Sequence, residues 1–356
     1  MHKKVLVGLS GGVDSAISAY LLQKEGYDVT GVIMAIWDGD KRITEDSYHS
    51  CYGPGEEKDI EDARIVSEKL DIPFHVVDLK DEYKRSVLDY FEKEYLAGRT
   101  PNPCIKCNNY MKFGALLNGA KKLGIDFDYF ATGHYARVLF NNTTRRYELL
   151  RGKDLLKDQS YFIYTLRQDQ LKQTILPLGT YLKKDVRVLA EKLGFENADR
   201  DESQNFIAGD YAVLLKGTEK KGDIVDDTGR VLGIHDGIQF FTVGQRRGLG
   251  ISSREPLYVT KIDAQNNAVV VGTKPKLLGE QLMAENCNWI SIETLEKSIE
   301  LTAKIRYQSK DAACEVRPLD KGNVEVQFVE PQNAITPGQS VVFYDGEIVI
   351  GGGIIS

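Results

Sequence analysis

Lys4-Val5-Leu6-Val7 runs directly into Gly8-Leu9-Ser10-Gly11-Gly12-Val13-Asp14-Ser15, and residues 16–25 then carry an amphipathic helical pattern. A strand that breaks into adjacent glycines and opens a helix presents bare backbone N–H groups at the positive end of the helix dipole, which makes an anion site. Ser10 and Ser15 add hydroxyl donors, and Asp14 adds a carboxylate able to orient a metal ion. No Gly-Lys-Ser/Thr follows, so the octet is not a Walker loop, and its spacing is not that of the Gly-x-Gly-x-x-Gly dinucleotide fingerprint. The plain alternative is a tight turn with a capped helix, which Gly-Gly with Ser and Asp favours in any case.

Outward from the octet, the first two hundred residues alternate apolar runs with helical stretches, the pattern of an α/β, doubly wound parallel sheet. Strands are expected near 4–9, 28–36, 73–79 and 129–136, with helical spacing at 59–70, 82–96 and 110–123. Ligands of such sheets sit at the carboxyl ends of the strands, so the octet, Met34 and Ala131-Thr132-Gly133-His134 should converge on a nucleotide pocket. After about residue 208 glycines become frequent and helical periodicity fades. Short β-rich runs at 237–243, 257–262 and 268–271 read as a small β domain. Further runs at 301–307, 314–318, 324–329, 340–344 and 348–355 suggest a compact C-terminal β-barrel. The expected domains are 1–207, 208–276 and 277–356.

The 356 residues are ordinary globular material, 28% charged and 42% apolar. No run is long enough to span a bilayer, and Met1-His2-Lys3-Lys4 is followed by no apolar leader, so a cytoplasmic protein without a membrane partner is expected. The net charge of -6 does not advertise a nucleic-acid binder. Local clusters such as Arg145-Arg146, Lys183-Lys184, Lys220-Lys221 and Arg246-Arg247 can still form a basic face.

Five cysteines, Cys51, Cys104, Cys107, Cys287 and Cys314, are too few and too uneven for a disulfide framework. Cys104 and Cys107 form a Cys-x-x-Cys pair in Gly98-Arg99-Thr100-Pro101-Asn102-Pro103-Cys104-Ile105-Lys106-Cys107-Asn108, a loop stiffened by two prolines. The spacing alone leaves open a redox couple, half of a zinc site, two ligands of an iron–sulfur cluster, or a nucleophile with a helper. The helix expected from residue 110 should lower both thiol pKa values through its dipole. Cys51 lies in an irregular insertion, 38–57, after the second strand and is a plausible third partner. Three thiolates would leave one iron of a [4Fe-4S] cluster open, a closed zinc site would want a fourth ligand such as His49, and three unrelated thiols is the plain reading. Cys287 and Cys314 sit in apolar β contexts and read as packing residues.

The octet resembles the signature of the ATP pyrophosphatases, which adenylate a substrate oxygen. Taken in order with Thr100-Pro101-Asn102-Pro103-Cys104, Cys107-Asn108, residues 131–135, Lys157-Asp158-Gln159-Ser160-Tyr161-Phe162 and Phe241-Thr242-Val243-Gly244-Gln245-Arg246-Arg247-Gly248-Leu249-Gly250, it makes the whole chain resemble the tRNA-specific 2-thiouridylases. The resemblance implies ATP- and Mg2+-dependent replacement of the C2 oxygen of a wobble uridine in tRNA by sulfur, drawn from a protein persulfide or sulfide. It implies that Gly8, Leu9, Ser10, Gly11, Gly12, Val13, Asp14, Ser15, Met34 and Gly133 hold ATP, and that Asn102, Pro103 and Cys104 meet the target base. It also implies that Cys107 is catalytic, with Cys104 and Asp14 beside it, and that His134, Lys157, Asp158, Gln159, Arg306, Tyr307 and Gln339 touch tRNA. Without the resemblance, 157–159 is only a polar turn, Arg306-Tyr307 an exposed strand pair, and His134 a satisfied sheet-end histidine.

One departure stands out. Typical members carry a second cysteine in Asp-Ser-Gln-x-x-Cys-Phe, where this chain has Asp201-Glu202-Ser203-Gln204-Asn205-Phe206-Ile207-Ala208-Gly209. A persulfide relay through that thiol cannot operate, so Cys51, Cys104 and Cys107 holding a cluster is the expected replacement. The rivals are thiolation of a different tRNA position, a small-molecule synthetase of the same superfamily, and a non-catalytic tRNA-binding or sulfur-carrier protein. The intact octet argues against the last.

Overall fold

The structure, a computed structural model, describes residues 2–43, 50–195, 205–207 and 210–356. His49 and most of the 201–209 stretch lie outside the described residues. The chain divides into two compact units, one of 1–87, 104–210 and 347–349, the other of 88–103, 211–346 and 350–356.

In the first unit the chain forms β1 (Lys4–Gly8), α1 (Val13–Lys24), β2 (Asp28–Ala35), β3 (Ser50–Tyr52), α2 (Glu56–Lys69), β4 (Phe74–Asp78) and α3 (Lys80–Tyr83). A π-helical turn, Lys84–Leu88, leads on to α4 (Asp89–Leu96), which belongs to the second unit. Beyond the Pro-rich loop come α5 (Pro103–Lys106), a π-helical stretch Cys107–Ala115, α6 (Leu116–Lys122), β5 (Tyr129–Ala131), β6 (Ala136–Asn141), β7 (Arg146–Arg151), α7 (Gln168–Lys172), β8 (Thr174–Ile175), α8 (Lys183–Lys192) and β9 (Asn205–Ile207).

The main sheet has the order β4-β2-β1-β5-β8 and every pairing in it is parallel. β1 is central, and its Val5, Leu6 and Val7 are almost fully buried, as a strand covered on both faces requires. Ala16, Ile17, Ala19 and Leu22 of α1, Ala63 and Val66 of α2, and Val186 and Ala190 of α8 form one core with it. Gly119 of α6 sits so close to Val77 of β4 that a Cβ would lie 2.4 Å from its Cγ1. Each apolar residue so buried contributes about 1.5–3 kcal/mol, so this packing carries the sheet.

Where the 110–123 periodicity predicted a helix, the helical run starts earlier, at Pro103, and bulges through Cys107–Ala115. Proline suits a first helical turn because its missing N–H is not needed there. β6 and β7 form an antiparallel hairpin the periodicity did not single out, with Leu149 and Leu150 pairing to Val349 and Ile348.

In the second unit, β10 (Gly222–Val225), β11 (Val231–His235), β12 (Tyr258–Asp263) and β13 (Ala268–Gly272) form a sheet of order β11-β10-β13-β12 over a small core that includes Ile224, Phe241, Val259 and Val269. The strand expected at 237–243 is instead a 3-10 turn, Ile238–Phe240; Gly237 and a backbone bond from Phe241 N–H to the Ile238 carbonyl curl the chain there. The last six strands, β14 (Leu278–Trp289), β15 (Ile299–Lys304), β16 (Ala312–Pro318), β17 (Val324–Asn333), β18 (Ser340–Asp345) and β19 (Ile348–Ile355), run in the order β14-β17-β16-β15-β18-β19, and β14 pairs back to β19 to close a barrel. Closure removes the sheet edges. Among the described residues no helix is long and apolar enough to cross a membrane.

Candidate active site

Gly11 has φ +71°, and a Cβ there would stand 2.7 Å from the Asp59 carbonyl oxygen of α2, so only glycine lets the octet turn this tightly against that helix. Gly12 is extended and caps α1. The Ser15 hydroxyl donates to the Gly12 carbonyl at 2.9 Å and accepts from the Ser10 backbone N–H at 3.1 Å, folding the octet onto itself. The first-turn N–H groups of α1 therefore face the carboxyl end of β1, a cradle suited to a phosphate.

β5 reaches the same end of the sheet. A Cβ on Gly133 would lie 2.9 Å from the Asp14 carbonyl carbon and 3.0 Å from the Ser15 nitrogen, so the two segments touch backbone to backbone. Two residues on, the Tyr135 hydroxyl donates to Asp14 Oδ1 at 2.8 Å. The Lys183 ammonium donates to Oδ1 at 2.8 Å and to Oδ2 at 2.7 Å. Asp14, expected to orient a metal, is thus already paired by a cation and a phenol. Neither Tyr135 nor Lys183 was singled out as a site residue in the sequence. The signal for Lys183 was faint: a basic pair at the start of a helix, where cations are disfavoured.

His134 shares a 2.7 Å hydrogen bond with Thr132 Oγ1. Burial holds the ring neutral, its pKa pushed down to about 3, with the charge of Lys112 acting in the same direction. The turn after it is fastened to β5: Gln159 N–H donates to the Tyr135 carbonyl and its Oε1 accepts from Tyr135 N–H at 3.0 Å. Asp158 is buried, accepts from the backbone N–H groups of Gly152 and Ser160 and from the Ser160 hydroxyl, and pairs with buried Arg151 at 3.5 Å. Its carboxylate is occupied by the fold. Lys157 stands beside it with its backbone N–H bonded to the Asp154 carbonyl.

Met34 lies two residues beyond Val32, the partner of Gly8, at the carboxyl end of β2. Past that end, Glu56 Oε1 accepts from the N–H groups of Ile36 and Trp37, and the Tyr52 hydroxyl donates to Asp38. Tyr52 stacks on Tyr83 at 5.4 Å and meets Trp37 edge-on at 4.9 Å. Tyr52 thereby fixes β3, which carries Cys51, over the same edge.

The thiols gather there. Cys51 is pushed up, first by loss of hydration, with Lys112 opposing the shift and Asp59, the residue whose carbonyl blocks Gly11, adding to it. Cys104 is pushed up to about 12, first by burial and then by Cys51 and Cys107. Cys107 is pushed up to about 11 by burial, against the opposing pull of Lys112. The lowering expected from the helix dipole is overturned, because loss of hydration outweighs it. Lys112 acts on His134 and on all three thiols, which ties the cysteine helix to the end of β5. Among the described residues no three His, Cys, Asp or Glu side chains are grouped to hold a metal ion. The ligand set expected for a cluster at Cys51, Cys104 and Cys107 is not assembled among them.

In the second unit, Arg99 makes a bidentate pair with Glu94 at 2.6–2.7 Å and reaches Glu285 at 3.2 Å. Gln339 Nε2 donates to the carbonyls of Thr100 and Pro101 at 2.8 and 3.2 Å, which sets the loop running to Asn102 and Pro103. Arg306 spends its Nη2 on the carbonyls of Val243 and Ala334 and on Thr336 Oγ1, and the Lys304 ammonium donates to the Tyr307 carbonyl. Cys314 is buried in the barrel wall and Cys287 half-buried, both lifted to about 12 by burial, as packing residues are.

Three family models match the chain: a tRNA methyl transferase HUP domain over residues 3–208, a tRNA methyl transferase PRC-barrel domain over 213–273, and an aminomethyltransferase beta-barrel domain over 279–355. The tRNA-specific 2-thiouridylase MnmA of Endomicrobium trichonymphae is 48% identical over 99% of this chain and 98% of its own length. MnmA 1 of Caldanaerobacter subterraneus subsp. tengcongensis is 48% identical over 100% and 98%. An MnmA of Clostridium botulinum is 47% identical over 99% and 98%. With its glycine cradle, its cysteine helix and likeness to these relatives along its whole length, the chain belongs to the tRNA-specific 2-thiouridylase family.

Proposed function

We propose that this protein is an ATP-dependent tRNA-uridine 2-sulfurtransferase that thiolates C2 of a wobble uridine through an adenylated base. A single relation supports the reading: the glycine turn of residues 8–15 lies in backbone contact with Gly133 just past β5, and the helical stretch that begins at Cys107 packs against the same segment, with the Phe113 ring 6.2 Å from that of His134.

The C2 oxygen of uridine is a poor leaving group. Its attack on the α-phosphorus of ATP makes it part of AMP and expels pyrophosphate, and the first-turn N–H groups of α1 are aimed where that negative charge accumulates. Sulfur at the oxidation level of sulfide then attacks C2, and AMP leaves. Cys107 is the residue at which sulfur is delivered, Cys104 and the loop of Asn102 and Pro103 meet the base, and Gly8–Ser15, Met34 and Gly133 hold the nucleotide, with Mg2+ accompanying the triphosphate. A base stacked in an anticodon loop cannot enter such a site, so it is turned out of the stack. His134, Lys157, Gln159, Tyr307 and the backbone at Asp158 face tRNA, while Arg306 and Gln339 hold the loops that do. The division into 1–207, 208–276 and 277–356 fits this use, with catalysis in the first part and tRNA grip in the other two. The donor is sulfide, or a persulfide carried on Cys107 whose S–S bond breaks when the Cys104 thiol attacks the Cys107 sulfur, so that the two cysteines become a disulfide and the outer sulfur is released at the sulfide level; the reaction belongs to the cytoplasm, where tRNA is modified and thiols are returned to the reduced state.

Mass spectrometry of tRNA nucleosides from cells lacking the gene, and from cells complemented with the parent or Cys107→Ser, tests the reading. A thiolated wobble uridine that disappears, returns with the parent and does not return with Cys107→Ser is the expected result. An unchanged nucleoside profile sinks it.

A further inference from the structure

The turn that follows β7, from Gly152 to Gln159, is fastened at both ends to the groups around Asp14. Asp154 Oδ2 accepts from the backbone N–H of Lys183 at 2.9 Å, and the Lys183 side chain is the one paired with Asp14. At the other end Gln159 holds the Tyr135 backbone through its own N–H and its Oε1, and the Tyr135 hydroxyl donates to Asp14. Within the turn, the Leu156 N–H donates to Asp154 Oδ1 at 3.2 Å, the Lys157 N–H to the Asp154 carbonyl at 3.0 Å and the Lys153 N–H to the Gly179 carbonyl at 2.9 Å. Between these ties Leu155 is 65% exposed and Leu156 91%, the latter more than any other large apolar side chain among the described residues. A single exposed leucine is ordinary. Two in succession, on a backbone held this firmly and mounted beside the glycine turn, form an apolar tip turned to the outside. Exposed Lys153 precedes the tip and Lys157 follows it, so cations flank it on both sides.

We propose that Leu155 and Leu156 form an apolar wedge that enters the anticodon loop of tRNA and fills the gap left in the base stack when the wobble uridine turns into the site. The inference deepens the tRNA reading above and rests on it. Taking one base out of a stack bares the apolar faces of its neighbours to water, and a leucine side chain set against those faces covers them; apolar wedges between base steps are a general means of holding nucleic acid open. A single-stranded loop offers such faces. Lys153 and Lys157 have the sign to meet the phosphates on either side of the gap, which fixes position without reading sequence. The flanking cations and the mount beside the glycine turn favour RNA over a protein as the partner of this tip.

Anticodon stem-loop RNA with 2-aminopurine next to the wobble uridine tests this, because 2-aminopurine brightens when a stacking neighbour leaves. The RNA should brighten on binding the parent. With Leu155→Asn/Leu156→Asn, binding should weaken by about 10-fold and the brightening fall by about half or more, while the dependence of affinity on salt keeps its slope, since no phosphate contact is lost. Leu155→Met/Leu156→Met should restore both readouts, and ATP affinity should stay within about 2-fold of the parent in each variant. Parental RNA affinity and brightening in the Asn pair, a flatter salt slope, or an equal loss of ATP affinity overturns the proposal. So does thiolation lost with a protein sulfur donor but kept with sulfide, which assigns the leucines to that protein. A parent that does not bind the RNA defeats the tRNA reading, and the wedge falls with it; a parent that binds and brightens the RNA no differently from the Asn pair defeats the wedge alone.

Discussion

The Tyr135 hydroxyl lies 2.8 Å from Asp14 Oδ1, a contact between residues 121 positions apart that locks the start of α1 to the segment after β5. Gly133, between them in the packing, allows the approach. Without a Cβ, β5 and the octet stay in backbone contact, and the cradle stays in place at the end of β1.

That contact makes Gly133 sensitive to one methyl group. In Gly133→Ala the new Cβ meets the Asp14 carbonyl carbon at 2.9 Å and the Ser15 nitrogen at 3.0 Å, and neither is a side-chain end that can swing aside. Overpacking of this kind costs about 1–3 kcal/mol. Urea unfolding should register that loss, and ATP affinity should fall by about tenfold or more, since 1.4 kcal/mol of misplacement already does so. Unchanged ATP binding would contradict the role assigned to this close approach.

His134 gives a pH dependence of definite sign. Its folded pKa is pushed down from 6.5 to about 3, so as pH falls through that window the unfolded chain takes up a proton that the folded chain refuses. Stability is therefore fully present above about pH 6.5 and drains away below it, by about 1.4 kcal/mol per pH unit for a single site. His235 is shifted in the same direction by burial and adds to the slope. Unfolding free energies at pH 7 and pH 5 should converge for His134→Asn relative to the parent; equal slopes for the two proteins would refute the assignment.

Arg99 and Glu94 form a pair in which the carboxylate is almost completely buried. Removing the guanidinium leaves that charge unmatched, and breaking a buried pair from one side costs about 3–5 kcal/mol, less here because Arg99 itself is one-third exposed. Arg99→Ala should lower the thermal midpoint by several degrees, and Arg99→Ala/Glu94→Gln should regain much of it. Limited proteolysis should cut the 99–103 loop faster in the single variant.

Arg306→Ala separates a structural from a nucleic-acid role. Its guanidinium serves two carbonyls and a hydroxyl within the protein. Leaving them unmatched costs about 1–3 kcal/mol each if they stay buried, so denaturant unfolding without tRNA should already detect the change. A protein as stable as the parent that binds tRNA with a shallower salt dependence would mean that Arg306 instead spends its charge on a phosphate.

The α/β class and the four expected strands of the main sheet were legible because a strand buried on both faces must be apolar throughout, as Val5, Leu6 and Val7 are. Five of the six barrel strands were legible as short β-rich runs, whereas β14, Leu278–Trp289, was not. The hairpin Ala136–Asn141 and Arg146–Arg151 escaped notice, since its mixed sequence is stabilised by pairing with residues two hundred positions away. The 237–243 run misled because apolar composition does not reveal a chain that curls at Gly237. At the site, the glycine octet and the cysteine pair announce themselves through local backbone and spacing rules. The state of those thiols does not, for the dipole at a helix start is local whereas burial is a property of everything folded around it.

By itself the sequence determined where the glycine turn opens α1 and where the thiols lie along the chain, because turn geometry and side-chain chemistry act over a few neighbouring positions. Only the tertiary structure decided that Asp14 is held by Tyr135 and Lys183 and that burial raises the thiol pKa values of Cys104 and Cys107. Those outcomes depend on hydration lost and partners gained across more than a hundred residues of chain, which no local spacing records.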